Sequence, residues 1–487
     1  MSKPDSIRSN ADLSCSAELR KQDDRAPETS KERVQKYLLD LFAVVGMSLL
    51  LFWGAWLRYL EVAATQSSEP TRYRCYAVAF WKGISRVSPG CSFVKTDTST
   101  ALIHQMQLWG FPGFLVKLVE SQSPTSPLHA LPHEYPLLTI IPFTLVAFVS
   151  TKWYFVAFAI MMAFVAGAVY FLIKRYKSTG AALAFAFYLV IGSWATALAR
   201  FDLIPAALTL GTVILAERAK WKWAFALLAL ATMFKFYALV LILPVFIAQQ
   251  QQYSGSKWYA WRRWDGITMF VCVCMGVTAL SLVLSVDGTL GPLSYFSYRP
   301  IQVESHPAGI LWIASFIGYS LDFDYSFGSG NVLSPLSSQV SLVFTLCFIL
   351  GLMAVYWLQW RGRLNPALAC LLTLLVVIVT GKVFSPQYLI WATPFVAYVG
   401  KSSWKWLVGW GSVGLLTTFI YPHIYTVASA TPGVISVGQI PEFYPSVLAR
   451  GFIILAIIAI VCWGRLIKWR QQEGADIPEN LPFTGQG

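Results

Sequence analysis

Residues 153–173 read WYFVAFAIMMAFVAGAVYFLI, and the basic step Lys174-Arg175-Tyr176-Lys177 follows at once. The run carries no charge and is apolar on every face, where a soluble amphipathic helix would keep a polar side. At 1.5 Å per residue it reaches about 30 Å as a helix, the thickness of a bilayer's hydrocarbon core. The same alternation of apolar run and short basic step recurs from residue 37 to residue 468. Reading it as a set of membrane spans decides the fold class: an all-α polytopic membrane protein.

Composition agrees. Of 487 residues, 56% are hydrophobic and only 13% are Asp, Glu, Lys or Arg. Mean hydropathy is +0.56. A soluble globular chain carries about 25% charged residues, so this one lacks the polar surface to cover a water-soluble core. A soluble enzyme, a disordered chain and a disulfide scaffold are excluded. The formal net charge of +13 would suggest nucleic acid in a soluble protein. Here Lys and Arg sit in short loops between apolar runs, as the positive-inside rule requires.

Six basic clusters set the threading: 174–177, 217–220, 257–263, 361–363, 401–405 and 465–470. All are cytosolic if spans cover roughly 37–59, 153–173, 179–199, 202–217, 221–234, 236–249, 265–286, 336–359, 364–381, 385–399, 404–421 and 445–468. That makes about twelve crossings. The apolar run 137–150 is left over and is expected as a re-entrant or broken helix, tolerated at membrane depth only where protein or a cavity surrounds it. No cleavable signal peptide is visible, so residues 1–36 are expected as a disordered cytosolic tail, 37–470 as the membrane domain and 471–487 as a second cytosolic tail. Three regions lie outside: about 60–136, 287–335 and 422–444. In the first, Ala101 to Val119 suggests amphipathic helices along the outer interface. Cys75 and Cys91 share that region and could pair if it faces an oxidising compartment. Cys272, Cys274, Cys347, Cys370 and Cys462 lie in apolar runs and read as small buried hydrophobes.

The threading collects rare charges at the outer ends of the spans. Arg200 and Asp202 lie at one turn, Lys235 between two short helices, Lys382 before Ser385-Pro386-Gln387-Tyr388, and Arg299 before Gln302 and Glu304. Each charge is costly in lipid, and four are cations placed against the positive-inside trend. Singly, Lys235 could snorkel and Arg200 could pair with Asp202. Together, a phosphate or diphosphate of a lipid-linked substrate fits them, since Arg binds phosphate bidentately and Lys as a point charge. Carboxylates of the first outer region, Glu61, Glu69, Asp97, Glu120 and Glu134, supply candidates for a general base. Glu134 stands out in His133-Glu134-Tyr135-Pro136, where the chain re-enters the membrane. It could equally be an acidic residue favoured at a helix start.

These blocks, with Arg200-Phe201-Asp202-Leu203, Gln302-Val303-Glu304-Ser305 and Ser385-Pro386-Gln387-Tyr388-Leu389, resemble the membrane-embedded GT-C glycosyltransferases. The resemblance is nearest to the bacterial polyprenyl-phosphate-mannose-dependent alpha-1,2-mannosyltransferases, glycosyltransferase family eighty-seven. It covers about 37–470. It implies a GT-C fold in a bacterial cytoplasmic membrane with an outward-facing site, a polyprenyl-phosphate sugar donor, and an acidic base in the first outer loop. The family's base is usually an Asp followed four residues later by Tyr. The matching position here is Glu69, with Tyr73 four residues on. The family's second Pro after Glu-Tyr-Pro is Leu137. The expected reaction is an inverting transfer of mannose, or another hexose or pentose, to a lipid or glycan acceptor. Glu69 or Glu134 is the base. Lys235, Lys382, Arg200 and Arg299 hold the donor phosphate. Asp202, Gln302, Glu304, Gln387, Tyr388, Tyr135 and His133 are candidate substrate contacts. Neither cofactor nor metal nor nucleic acid is expected.

Two other classes are weighed against this one. A transporter or flippase of lipid-linked saccharide would place its polar residues near the bilayer midplane. A membrane scaffold would not cluster outward cations with carboxylates. Leu481-Pro482-Phe483-Thr484-Gly485 resembles a sortase signal but lacks the hydrophobic span and basic tail such a signal needs after it.

Overall fold

The computed structural model describes residues 30–63, 68–91, 93–94 and 100–475. The chain divides into two compact units after Gly46. The described part of the first, residues 30–46, is the N-terminal half of helix α1 (Ser30–Ala63), with Glu32 in the first turn where the helix dipole favours an acid. Thus residues 30–36 of the expected tail are helical. Residues 471–475 of the second expected tail are helical as well, and the rest of the two tails, 1–29 and 476–487, and Asp97 lie outside the described residues. The second unit, which starts at Met47, holds the other helices, the strands and the outer regions.

The first outer region carries α2 (Glu69–Lys82), α3 (Thr100–Leu108) and α4 (Gly113–Glu120). Ser68 caps α2, its Oγ accepting from Thr71 N, with Pro70 in the first turn. Tyr73 is fully buried and stacks on Phe143 at 4.3 Å, which anchors the turn bearing Glu69 and Arg72. Cys75 on α2 is disulfide-bonded to Cys91. Leu108, Trp109, Phe111 and Phe114 are exposed around the α3–α4 corner. The run 137–150 is broken as its length demands: a 3-10 turn over Leu137–Thr139, the six-residue α5 (Ile140–Leu145), then turns.

The bundle continues through α6 (Tyr154–Tyr176), α7 (Thr179–Ser193), α8 (Leu203–Glu217), α9 (Trp221–Phe234), α10 (Ile242–Gln252) and α11 (Asp265–Leu284). Five helical stretches are long and apolar enough to cross a membrane alone: Ser30–Glu61, Thr151–Tyr176, Asp265–Leu284, Ser337–Trp360 and Phe443–Ile467. Between them run shorter apolar helices, α7, α8, α9 and the stretch Phe236–Gln252 among them. Every expected crossing falls on a helix, and the chain is an all-α polytopic membrane protein. The short helices survive because the bundle encloses them. Gly192 and Gly414 let α7 approach its neighbour closely, a Cβ at Gly192 falling 3.1 Å from Gly414 Cα.

The second outer region departs from the all-helical expectation. After α12 (Val286–Tyr298) comes β1 (Ile301–Gln302), then α13 (His306–Ser315), β2 (Asp322–Ser326) and β3 (Ser329–Leu333). The strands form a small antiparallel sheet in the order β1-β3-β2. Ser326 pairs with Ser329 across Phe327-Gly328, both at positive φ (54° and 68°), as a two-residue hairpin of this type requires. Then follow α14 (Ser337–Trp360), α15 (Pro366–Thr380), α16 (Tyr388–Gly400), α17 (Trp404–Thr418), α18 (Tyr425–Ala430) and α19 (Phe443–Ala475).

Side-chain contacts orient the bundle. Arg218 lies over Tyr176 at 4.3 Å, Lys177 over Tyr398 at 4.4 Å, and Tyr398 donates to Glu217 Oε2 at 2.6 Å. These contacts bring the basic steps 174–177 and 217–220 together with the C-terminal end of the segment 388–400 at one end. At the other end three short-helix breaks meet: before α8, between α9 and α10, and before α16. One expectation fails. Of the five Cys in apolar runs only Cys370 is buried, while Cys272 and Cys347 are exposed. An apolar run in a membrane protein does not by itself imply burial, because the outward face of a peripheral helix meets lipid instead of protein.

Candidate active site

The helix breaks expose backbone and end on polar side chains, and the outer loops close over them. Together they line a cavity of about 540 Å³. Glu69, Glu134, Tyr135, Arg200, Lys235, Arg299, Gln302, Glu304, Gln387 and Tyr388 line it. Asp202, Lys382 and His133 do not. Asp202 sits just behind, bound to Lys235. Lys382 contributes its backbone O, which accepts from Gln302 N at 2.9 Å. His133 packs against Gly291, where a Cβ would fall 2.2 Å from its Nδ1.

The charges come in pairs. Arg200 Nη2 lies 3.2 Å from Glu69 Oε1, and Arg72 Nη1 lies 3.9 Å from the same oxygen. Arg72 also donates to Glu134 Oε1, so one guanidinium links the two candidate bases. Lys235 Nζ lies 2.6 Å from Asp202 Oδ1, which also accepts from Trp391 Nε1 at 2.6 Å. Arg200 therefore pairs with Glu69 and not with Asp202. Trp391 is itself held between Tyr237 and Tyr388, at centroid distances of 4.1 and 3.9 Å.

The electrostatics separate the two bases. Burial pushes the Glu69 carboxyl up, but Arg200, Arg72 and Lys235 outweigh it and hold the group below the usual range. For Glu134 burial prevails over Arg72, and the carboxyl is raised. Two linked carboxylates with environments that push them apart are a common arrangement for acid–base work. Burial also raises Glu304, to about 6.

Arg299 differs from the other cations. It donates from Nη2 to Ser329 Oγ at 3.0 Å, its Nε is buried without a partner, and among the described residues it has no carboxylate partner. Lys382 is also without one among the described residues. Its ammonium is lowered by burial and by Arg299, and its backbone O meets Gln302 N, three residues on from Arg299. The need for an outside anion is thus narrower than the sequence suggested. Arg200 and Lys235 have carboxylates in ion-pair contact, whereas Arg299, which acts on Glu134 only from a distance, and Lys382 do not.

The sequence reading missed several residues. Arg72 carried a signal, the i,i+3 spacing from Glu69. Arg58 bonds Glu61 Oε2 at 2.6 Å and Tyr421 OH at 3.2 Å, and all three line the cavity. Arg450, 2% exposed within α19, donates to Glu304 O at 2.7 Å and lies over Phe384 at 3.8 Å. It joins the loop of Gln302 and Glu304 to the loop of Ser385–Tyr388. A fully buried Arg in an apolar span is a cue for function or structure. Tyr425 OH donates to Glu304 Oε1 at 2.7 Å. The hairpin β2–β3 forms a further wall. No group of three or more His, Cys, Asp or Glu among the described residues is arranged to hold a metal.

No family model and no curated protein matches the sequence. Among solved structures, that of ArnT from Cupriavidus metallidurans bound to undecaprenyl phosphate is similar over 90% of this chain and 79% of that chain, with a TM-score of 0.40 and 12% sequence identity.

Proposed function

We propose that the chain is an inverting glycosyltransferase of the GT-C kind. It moves a sugar from a polyprenyl-phosphate donor to a hydroxyl of a lipid or glycan acceptor, at the outer face of a bacterial cytoplasmic membrane. Mannose is the sugar to which the sequence resemblance points. The observation that carries the proposal is one cavity, at the end of the bundle opposite the basic loops, lined by Glu69, Glu134, Arg200, Lys235 and Arg299 together. A transporter asks for such groups near mid-span. The Cys75–Cys91 disulfide supports placing this end in an oxidising compartment.

In this reading Arg299 takes the donor phosphate, with Lys382 reinforcing it from behind. Glu69, kept ionised by its arginines, accepts the proton of the acceptor hydroxyl. The freed oxygen attacks the anomeric carbon opposite the phosphate. The bond between that carbon and the phosphate oxygen breaks, its electron pair leaves on polyprenyl phosphate, and the prearranged cations stabilise the growing charge. Gln302, Glu304, Gln387, Tyr388 and Tyr135 are positioned around the cavity to contact sugar or phosphate. Lys235 with Asp202 keeps the α8 and α9 breaks together.

The test is transfer from a polyprenyl-phosphate sugar in nanodiscs, with mass spectrometry of co-purified lipid. Glu69→Gln is expected to abolish transfer while leaving thermal unfolding unchanged, and Lys382→Ala to weaken donor use. Full turnover in both Glu69→Gln and Glu134→Gln would end the proposal.

A further inference from the structure

We propose that the edge strand β2 is an acceptor-recognition element, and that it recognises a neutral, hydroxyl-rich glycan segment through Tyr325 and Asp324. This deepens the transferase reading above and rests on it.

The hairpin is fixed at its base and reaches the reacting groups at its tip. Val332 of β3 is buried in a cluster with Ile301, Val303 and Phe443, and Phe323 of β2 packs against Gly438, where a Cβ would lie 2.4 Å from its ring. At the tip, Phe327 holds a left-handed backbone that a bulky side chain disfavours. Tyr295 OH donates to its carbonyl, and the two rings lie 5.3 Å apart. The next residue, Gly328, comes so close to Arg72 that a Cβ would fall 3.3 Å from Nη1. The tip thus touches the guanidinium that links Glu69 to Glu134. A backbone strain held by its surroundings at such a place points to function.

The outward half of β2 is built differently from a packed strand. Tyr325 is 65% exposed, Asp324 is exposed, and both line the cavity. Among the described residues Asp324 has no ion pair. β2 is also the sheet's edge, with one row of backbone N–H and C=O groups unpaired by any strand. A sugar ring offers an apolar C–H face to an aromatic ring and hydroxyl donors to a carboxylate. A phosphate or a second carboxylate would meet Asp324 and Asp322 with like charge, and an acyl chain would use neither group. Tyr325, Gly328 and Arg72 line the same cavity as Glu69 and Glu134, so an extended glycan lying along the hairpin would bring a terminal hydroxyl to the carboxylates.

The experiment uses the full chain in phosphatidylcholine nanodiscs and saturation-transfer NMR with three soluble neutral trisaccharides, of mannose, glucose and galactose. At least one is expected to bind. Tyr325→Ala and Asp324→Asn are each expected to weaken it about tenfold, with Tyr325→Phe within about twofold of the native chain. Because Tyr325→Phe keeps the ring, it separates loss of stacking from misfolding. Failure of all three sugars to bind, or native binding in both Tyr325→Ala and Asp324→Asn, overturns the proposal. So does binding restricted to vesicles containing phosphatidylglycerol. Absence of co-purified polyprenyl phosphate with trisaccharide binding intact would instead sink the transferase reading.

Discussion

On the transferase reading proposed above, Arg200→Met tests which carboxylate accepts the proton. Arg200 Nη2 lies 3.2 Å from Glu69 Oε1 and Arg72 Nη1 lies 3.9 Å away, both on a side chain 22% exposed. At an effective dielectric of about 20 a unit pair at those distances interacts by roughly 4–5 kcal/mol before desolvation. Observed effects are smaller, an adjacent Arg depressing a carboxyl by about 1–3 pH units. Arg200→Met removes the nearer cation and leaves Arg72, so the Glu69 carboxyl is expected to rise from its lowered position toward the ordinary carboxylate range. The base works only when ionised, so activity falls as pH drops through its pKa. Raising that pKa moves the acidic limb of kcat/KM upward in pH. The assay is transfer from a polyprenyl-phosphate sugar in nanodiscs across pH, with thermal unfolding as the control for folding. The cations that act most strongly on Glu134 are Arg72 and Arg299, both kept in this variant. An acidic limb that stays in place in a folded variant would refute the assignment to Glu69 and favour Glu134.

Asp202→Asn removes one partner of the buried Lys235 pair, 2.6 Å apart, and is expected to lower stability by about 3–5 kcal/mol. The double variant with Lys235→Met should recover part of that loss in thermal unfolding, and purely additive losses would show that the pair is not coupled. Arg450→Met is expected to loosen the loop of Gln302 and Glu304, lowering kcat more than it changes donor affinity. Arg450→Lys should rescue only in part, since it loses the flat contact with Phe384. Cys75→Ser with Cys91→Ser opens a 16-residue loop, for which a loss of about 3 kcal/mol is expected. Reductant should then destabilise only the native chain, and equal sensitivity of the two would refute a role for the bond.

Hydropathy made the spans and their breaks legible, because a charge at a helix end in a membrane is rare enough to carry information. Arg200, Asp202, Lys235 and Lys382 were found that way. What pairs with what was not legible. Arg72 meets Glu134 across 62 residues and Arg450 meets Glu304 across 146, and no local period encodes such contacts. Arg450 is not singled out by the sequence, because the span around it is otherwise apolar and its partner lies 146 residues away. The hairpin did leave a signal in Asp322-Phe323-Asp324-Tyr325-Ser326, a period-two alternation followed by Phe327-Gly328. That alternation was lost in a region treated as loop. The Cys positions failed for a different reason: hydropathy measures exclusion from water and does not distinguish packing against protein from packing against lipid.

The internal pairing of the cavity changes what its cations can do. An unpaired row of four positive groups would bind any anion, phospholipid headgroups included, and in an anionic leaflet it would be occupied permanently. Here Arg200 and Lys235 already have carboxylates at 3.2 and 2.6 Å, so a headgroup gains little by approaching them. In the proposed reading, an incoming phosphate finds its net attraction at Arg299 and at Lys382, the latter close in sequence to the segment from Ser385 to Tyr388. Arg200 and Arg72 meanwhile keep Glu69 ionised without neutralising it by protonation. The site is therefore polarised before substrate arrives, with little reorganisation left for the reacting step. That is the condition under which fixed charges accelerate a reaction instead of merely binding its substrate. Adding a carboxylate beside Arg299, as in Ser329→Asp, is accordingly expected to raise donor KM more than tenfold, or about 1.4 kcal/mol, while leaving the Glu69 acidic limb in place. An unchanged donor KM would mean that the phosphate binds elsewhere.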